Sequence, residues 1–116
     1  MKGAGGGQAF LIGDWRVDPA TLRISHGETT RKLEPRVMQV LVFFAARPAA
    51  LVTREELEAG VWQGRGVGYD AVANTVIKLR KAFGDDSRNP RIIETIPKTG
   101  YRLIAEVGGP GAVPAG

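Results

Sequence analysis

Apolar residues recur along this chain with two different periods, and the change of period divides it into three stretches. From Phe10 to Leu33 the pattern is short and β-like: Phe10-Leu11-Ile12, Trp15-Arg16-Val17, Leu22-Arg23-Ile24 and Thr29 to Leu33. These runs are separated by Gly13-Asp14, Asp18-Pro19 and His26-Gly27, which are turn formers. A small antiparallel sheet is predicted. Val37, Val40, Leu41 and Phe44 then recur at helical spacing, with Pro35 tolerated in the first turn and Arg47-Pro48 as the stop. Thr53-Arg54-Glu55-Glu56 has the form of a capping box and predicts a second helix to about Trp62. Asp70 is the expected cap of a third helix, which ends at Phe83 before Gly84. After the polar loop 85–90, the segments Arg91 to Ile96 and Tyr101 to Val107 read as strands, with a hairpin turn over Pro97-Lys98-Thr99-Gly100.

The third helix is the most informative element. Val72, Val76, Leu79 and Phe83 fall on one stripe suited to a core, so Asn74, Ile77, Lys78 and Lys81 project from the other side, with Asp70 and Arg80 towards its edges. An α-helix fits the major groove of B-form DNA, where asparagine pairs with adenine, lysine donates to guanine and an apolar group meets a thymine methyl. On the helix alone, the same face reads first as a solvated helix end whose cations favour the macrodipole. Lys98 and Thr99 at the hairpin tip, with Arg91 and Arg102 on its strands, form a second basic feature within reach of phosphates. A basic helix face followed by a basic hairpin is the combination that grips adjacent grooves of one duplex.

Charge and composition agree. The chain has 116 residues, 43% of them hydrophobic and 24% charged, which is the usage of one globular domain. Its net charge of +4 and isoelectric point near 9.9 favour an anionic partner. With no cysteine it has neither disulfides nor thiolate zinc sites, a composition that fits the reducing cytoplasm, the expected location. His26 is the single histidine and sits in a turn, which leaves no basis for a histidine-dependent triad or a multi-histidine metal site. No cofactor, metal or small-molecule substrate is expected. No apolar stretch approaches the ~20 residues of a membrane helix, so this segment is expected to make no membrane contact. Residues 1–9 and 108–116, rich in glycine, proline and alanine, read as flexible tails around a folded unit over 10–107.

Leu33 to Leu103 carries a series of motifs in order: Leu33-Glu34-Pro35-Arg36-Val37-Met38-Gln39-Val40-Leu41, then Thr53-Arg54-Glu55-Glu56-Leu57 and Val61-Trp62. Val76 to Asp86 follows, and then Ile93-Glu94-Thr95-Ile96-Pro97-Lys98-Thr99-Gly100-Tyr101-Arg102-Leu103. This series resembles the OmpR/PhoB-type winged-helix output domain, within the branch of CadC- and ToxR-like transcriptional regulators. The resemblance implies an α+β winged helix-turn-helix fold: a four-stranded antiparallel N-terminal sheet, three helices and a C-terminal β-hairpin wing. It also implies double-stranded DNA as partner, with the helix over 70–83 in the major groove and the wing over 97–101 at the minor groove. Asn74, Ile77 and Lys78 match positions that read bases. Trp62, Arg80, Lys81, Lys98, Thr99 and Arg102 are the candidates for the backbone and wing contacts. Trp62 reads equally as a core aromatic closing the second helix, and the two roles are compatible.

The loop from Gln63 to Tyr69 matches a segment that touches RNA polymerase in the family, which makes Arg65, Val67 and Tyr69 candidates there. Glu34 stands where relatives often place a small hydroxyl cap, a weaker choice costing up to ~1 kcal/mol. Family members usually bind as a dimer or tandem pair on DNA. No segment of the roughly 120 residues that a phosphoacceptor receiver requires precedes Phe10, so the chain is not expected to be a complete phosphorylation-driven regulator. Either it acts alone or, the favoured expectation from the Gly/Pro/Ala tail after Val107 and the resemblance, it is the output domain of a longer regulator, whose parent could be membrane-anchored. Two other classes stay open on the residues alone. One is a winged-helix protein-interaction module that binds no DNA. The other is an enzyme, for which Asp85-Asp86 and Glu55-Glu56 are the adjacent carboxylate pairs, without a histidine or metal-ligand cluster beside them.

Overall fold

The computed structural model describes residues 9–64 and 69–108, the side chain of Tyr69 excepted. Four short strands open the chain: β1 (Phe10–Ile12), β2 (Trp15–Asp18), β3 (Arg23–His26) and β4 (Thr29–Lys32). They pair as an antiparallel meander in which Phe10, Ile12, Val17 and Ile24 alternate inward and are buried. The turn between β1 and β2 holds Gly13 at φ +56°, a conformation that glycine adopts without Cβ strain.

α1 (Pro35–Ala45) carries proline in its first turn and buries Val37, Met38, Val40, Leu41 and Phe44. Glu34 precedes it without any side-chain capping bond, as expected for a residue that replaces a small hydroxyl. α2 (Arg54–Val61) has the full capping box: the Thr53 amide donates to Glu56 Oε1 at 2.8 Å, and the Glu56 amide donates to Thr53 Oγ1 at 3.1 Å. α3 (Tyr69–Phe83) ends in a Schellman motif, in which the amides of Gly84 and Asp85 donate to the carbonyls of Lys81 and Arg80. Gly84 there has φ +69°. Asp70 proves to lie inside the first turn of α3 rather than before it. Its charge favours the positive end of the helix from within.

Two short strands escaped sequence reading. β5 (Leu51–Thr53) pairs with β7 (Gly100–Leu103), whose other neighbour is β6 (Ile93–Ile96), giving a three-stranded sheet in the order β5-β7-β6. The expected strand from Tyr101 to Val107 is divided. After Leu103 the chain leaves the wing sheet, and β8 (Val107–Gly108) pairs with β1 instead. The N-terminal sheet therefore has five strands rather than four, in the order β4-β3-β2-β1-β8. The cause is the edge of β1, whose backbone groups need partners. Gly13 N–H donates to the Glu106 carbonyl at 2.7 Å as this pairing begins.

Both sheets and all three helices contribute to one core, centred on Leu41, Phe44, Leu57, Leu79, Ile93 and Leu103. α1 packs against α2 and α3, so α3 is held along one side and leaves the other free. No helix among the described residues is long and apolar enough to cross a membrane.

Candidate nucleic-acid interface

The outward face of α3 follows from what its inward face must bury. Val72, Val76, Leu79 and Phe83 lie in the core, and Thr75 Oγ1, on the same side, satisfies itself by donating to the Ala71 carbonyl at 2.8 Å. Asn74, Ile77, Lys78 and Lys81 are all exposed. Ile77 is 55% exposed, the most exposed large aliphatic side chain among the described residues. Lys78 Nζ lies 3.2 Å from Glu34 Oε1, an exposed ion pair that joins α3 to the start of α1. This is where the Glu34 carboxylate goes in place of a helix cap.

Arg80 departs from its expected place. It is 8% exposed and points to the wing sheet, where Nη2 and Nε donate to the Ile93 carbonyl at 3.1 and 3.3 Å and Nη2 also donates to Thr95 Oγ1. Roughly a quarter-turn from the core stripe, its long side chain reaches a strand carbonyl and is drawn inward. It ties α3 to β6 and is not available as a surface phosphate contact.

The wing turn is built on backbone strain. Thr99 N–H donates to the Ile96 carbonyl at 3.1 Å, with Pro97 and Lys98 as the central residues. Lys98 has φ +65°, at the position where a type II turn favours glycine. Holding a lysine there costs about 1 kcal/mol and places an exposed lysine at the tip. Thr99 is half-buried, and its hydroxyl donates to the Pro97 carbonyl at 3.3 Å. Arg102 lies on β7 directly opposite Glu94 of β6, with Nε 3.7 Å from the carboxylate. Its charge is thus already opposed within the hairpin.

Trp62 is 7% exposed and closes α2, which realises its core role. The Arg36 guanidinium lies 5.4 Å from the centre of its ring, and Nη1 of the same arginine donates to the Val61 carbonyl at 2.6 Å. Arg65 and Val67 lie outside the described residues, as does the side chain of Tyr69, which begins α3.

Two positions were missed by sequence reading. Asp85, which in the sequence is one of two adjacent carboxylates in a polar loop, accepts from the amides of Arg91, Ile92 and Ile93 at 2.7 to 3.2 Å and so sets the start of β6. Arg31 Nη1 donates to the carbonyls of Lys81 and Ala82 at the end of α3. Its partners lie some fifty residues away, and no local pattern marks such a contact.

A three-helix core between an antiparallel sheet and a β-hairpin, with one face of the third helix free beside the hairpin, defines the class of winged-helix domains. The chain belongs to the OmpR/PhoB-type family described as transcriptional regulatory protein, C terminal, whose model matches residues 28–103. It is 37% identical over 97 residues to the transcriptional activator CadC of Escherichia coli, covering 83% of this chain and 19% of that protein. It is 34% identical over 107 residues to the cholera toxin transcriptional activator of Vibrio cholerae, covering 87% of this chain and 36% of that one. Among solved structures, the DNA-binding domain of E. coli CadC superimposes with a TM-score of 0.78 at 35% identity, covering 85% of this chain and 94% of that domain. The chain thus spans between about a fifth and a little over a third of these two curated relatives.

Proposed function

We propose that this domain binds double-stranded DNA sequence-specifically in transcription control, acting in the cytoplasm. The observation that carries the reading is the free face of α3, where Asn74, Ile77 and Lys78 stand exposed above a fully buried stripe, beside a wing whose tip holds Lys98. In the major groove Asn74 and Lys78 supply the donors and acceptors that distinguish base edges, and Ile77 supplies an apolar contact for a thymine methyl. Lys81, Lys98 and Thr99 hold the phosphates, with Arg102 in a lesser part because Glu94 opposes it. Trp62 contributes from the core by seating Arg36 at the end of α2. The similar CadC domain, described as DNA-binding, supports the reading.

Two extensions rest on the family resemblance. The domain acts as a pair on tandem half-sites, and the segment from Arg65 through Val67 to Tyr69 faces RNA polymerase. The central test is selection from random duplex DNA followed by titration over a range of salt. One recovered motif, bound with a log-log salt slope of several units, is the expected result. Absence of salt-dependent duplex binding would refute the reading.

A further inference from the structure

Beside the reading face, β4 and the C-terminal half of α3 flank an open groove of about 330 Å³. Its floor is apolar, and its rim carries Arg31 and Lys32 from β4, Lys78 and Lys81 from α3, and Glu34 from the start of α1. Four cations against one carboxylate leave the rim with a charge of +3. We infer that this groove seats a backbone phosphate of the duplex, sharing Lys78 and Lys81 with the helix face and adding Arg31 and Lys32 of β4 to the contacts. The inference rests on the DNA-binding reading and extends the bound backbone along the N-terminal sheet.

Three features support it. β4 is the edge strand of its sheet and all four of its residues are exposed, so cations and outward amides face the same solvent. Arg31 is already fixed by its bonds to the Lys81 and Ala82 carbonyls, which leaves the rest of its fork to meet an anion without first being ordered. Lys78 belongs both to the groove and to the reading face, so the two surfaces are continuous. Glu34 opposes anions at the rim and holds Lys78 in the free domain. This carboxylate lowers binding to every duplex alike, so it sets affinity and leaves the preference among sites unchanged.

Lys32 is the position to test, because it is exposed and lies outside the reading face and the wing. The duplex recovered by selection and a scrambled duplex are titrated with Lys32→Ala, Lys32→Glu and Glu34→Gln, with Lys98→Ala as the reference. Lys32→Ala is expected to weaken both duplexes alike by about five-fold near 0.15 M salt and to lower the salt slope by about 0.9, with the selected motif unchanged. Lys32→Glu has a larger effect in the same direction, and Glu34→Gln tightens both duplexes by about two- to five-fold. If both Lys32 variants keep the parent's affinity and slope while Lys98→Ala loses them, the groove holds no phosphate and the DNA-binding reading stands. If the parent domain binds neither duplex, both inferences fall.

Discussion

On α3 the outward side chains ride on a helix whose opposite side is held by Val72, Val76, Leu79 and Phe83, and none of them is needed for that packing. At the wing tip Lys98 occupies a left-handed backbone position, and the turn it completes is fixed by strands packed on the core. The helix therefore separates function from folding, whereas the wing combines them in the same few residues. Substitutions on the outward face of α3 should change what the domain reads without changing how stable it is. Substitutions in the wing should move both quantities, sometimes in opposite directions.

The largest difference is expected at Gly100. A Cβ added there would lie 2.1 Å from the Val52 carbonyl oxygen and 2.8 Å from Thr53 Cα, both backbone atoms. Gly100→Ala should cost about 3 kcal/mol in urea denaturation and weaken DNA binding as the wing shifts. On the helix, Asn74→Ala and Lys78→Ala should each lose ~1–3 kcal/mol of discrimination at particular base pairs while stability stays within ~0.5 kcal/mol. Competition titrations against single-base variants of the selected site measure this, and a loss of stability comparable to that of Gly100→Ala would contradict the separation. Arg80→Ala removes the donor to Ile93 and Thr95 and should destabilise by about 2 kcal/mol. The salt slope of the folded variant should not change; a fall of one counterion would mean that Arg80 meets phosphate after all. The smallest effect is the most diagnostic. Lys98→Gly should raise the unfolding free energy by about 1 kcal/mol, by relieving the turn, while weakening all duplexes about five-fold.

The legibility of these regions in the sequence follows the same division. The period of α3, the capping box at Thr53 and the stop at Gly84 are local signals, and the structure realises each of them. The wing turn was equally visible in Pro97-Lys98-Thr99-Gly100, though not the positive φ of Lys98, because the motif does not reveal which residue takes the strain. What stayed hidden depends on partners distant in sequence. β5 is three residues long and exists because β7 offers it an edge; β8 is two residues long and completes β1. Arg80 stands at the border of a helical wheel, and a carbonyl thirteen residues later decides its direction. Asp85 looked like loop charge because nothing local foretells that three amides would turn towards it.

Thr53 is at once the last residue of β5, paired with Gly100, and the residue whose hydroxyl caps α2. The start of a helix and the base of the wing are thus the same few atoms. Local opening of one requires opening of the other, so the wing and the first turn of α2 form one cooperative unit rather than a hinged flap on a rigid body. In native-state hydrogen exchange the amides of Glu56 and Tyr101 should open with a common free energy and respond together to denaturant. A duplex that clamps the wing would then slow exchange at the first turn of α2, a segment with no need to touch the DNA itself.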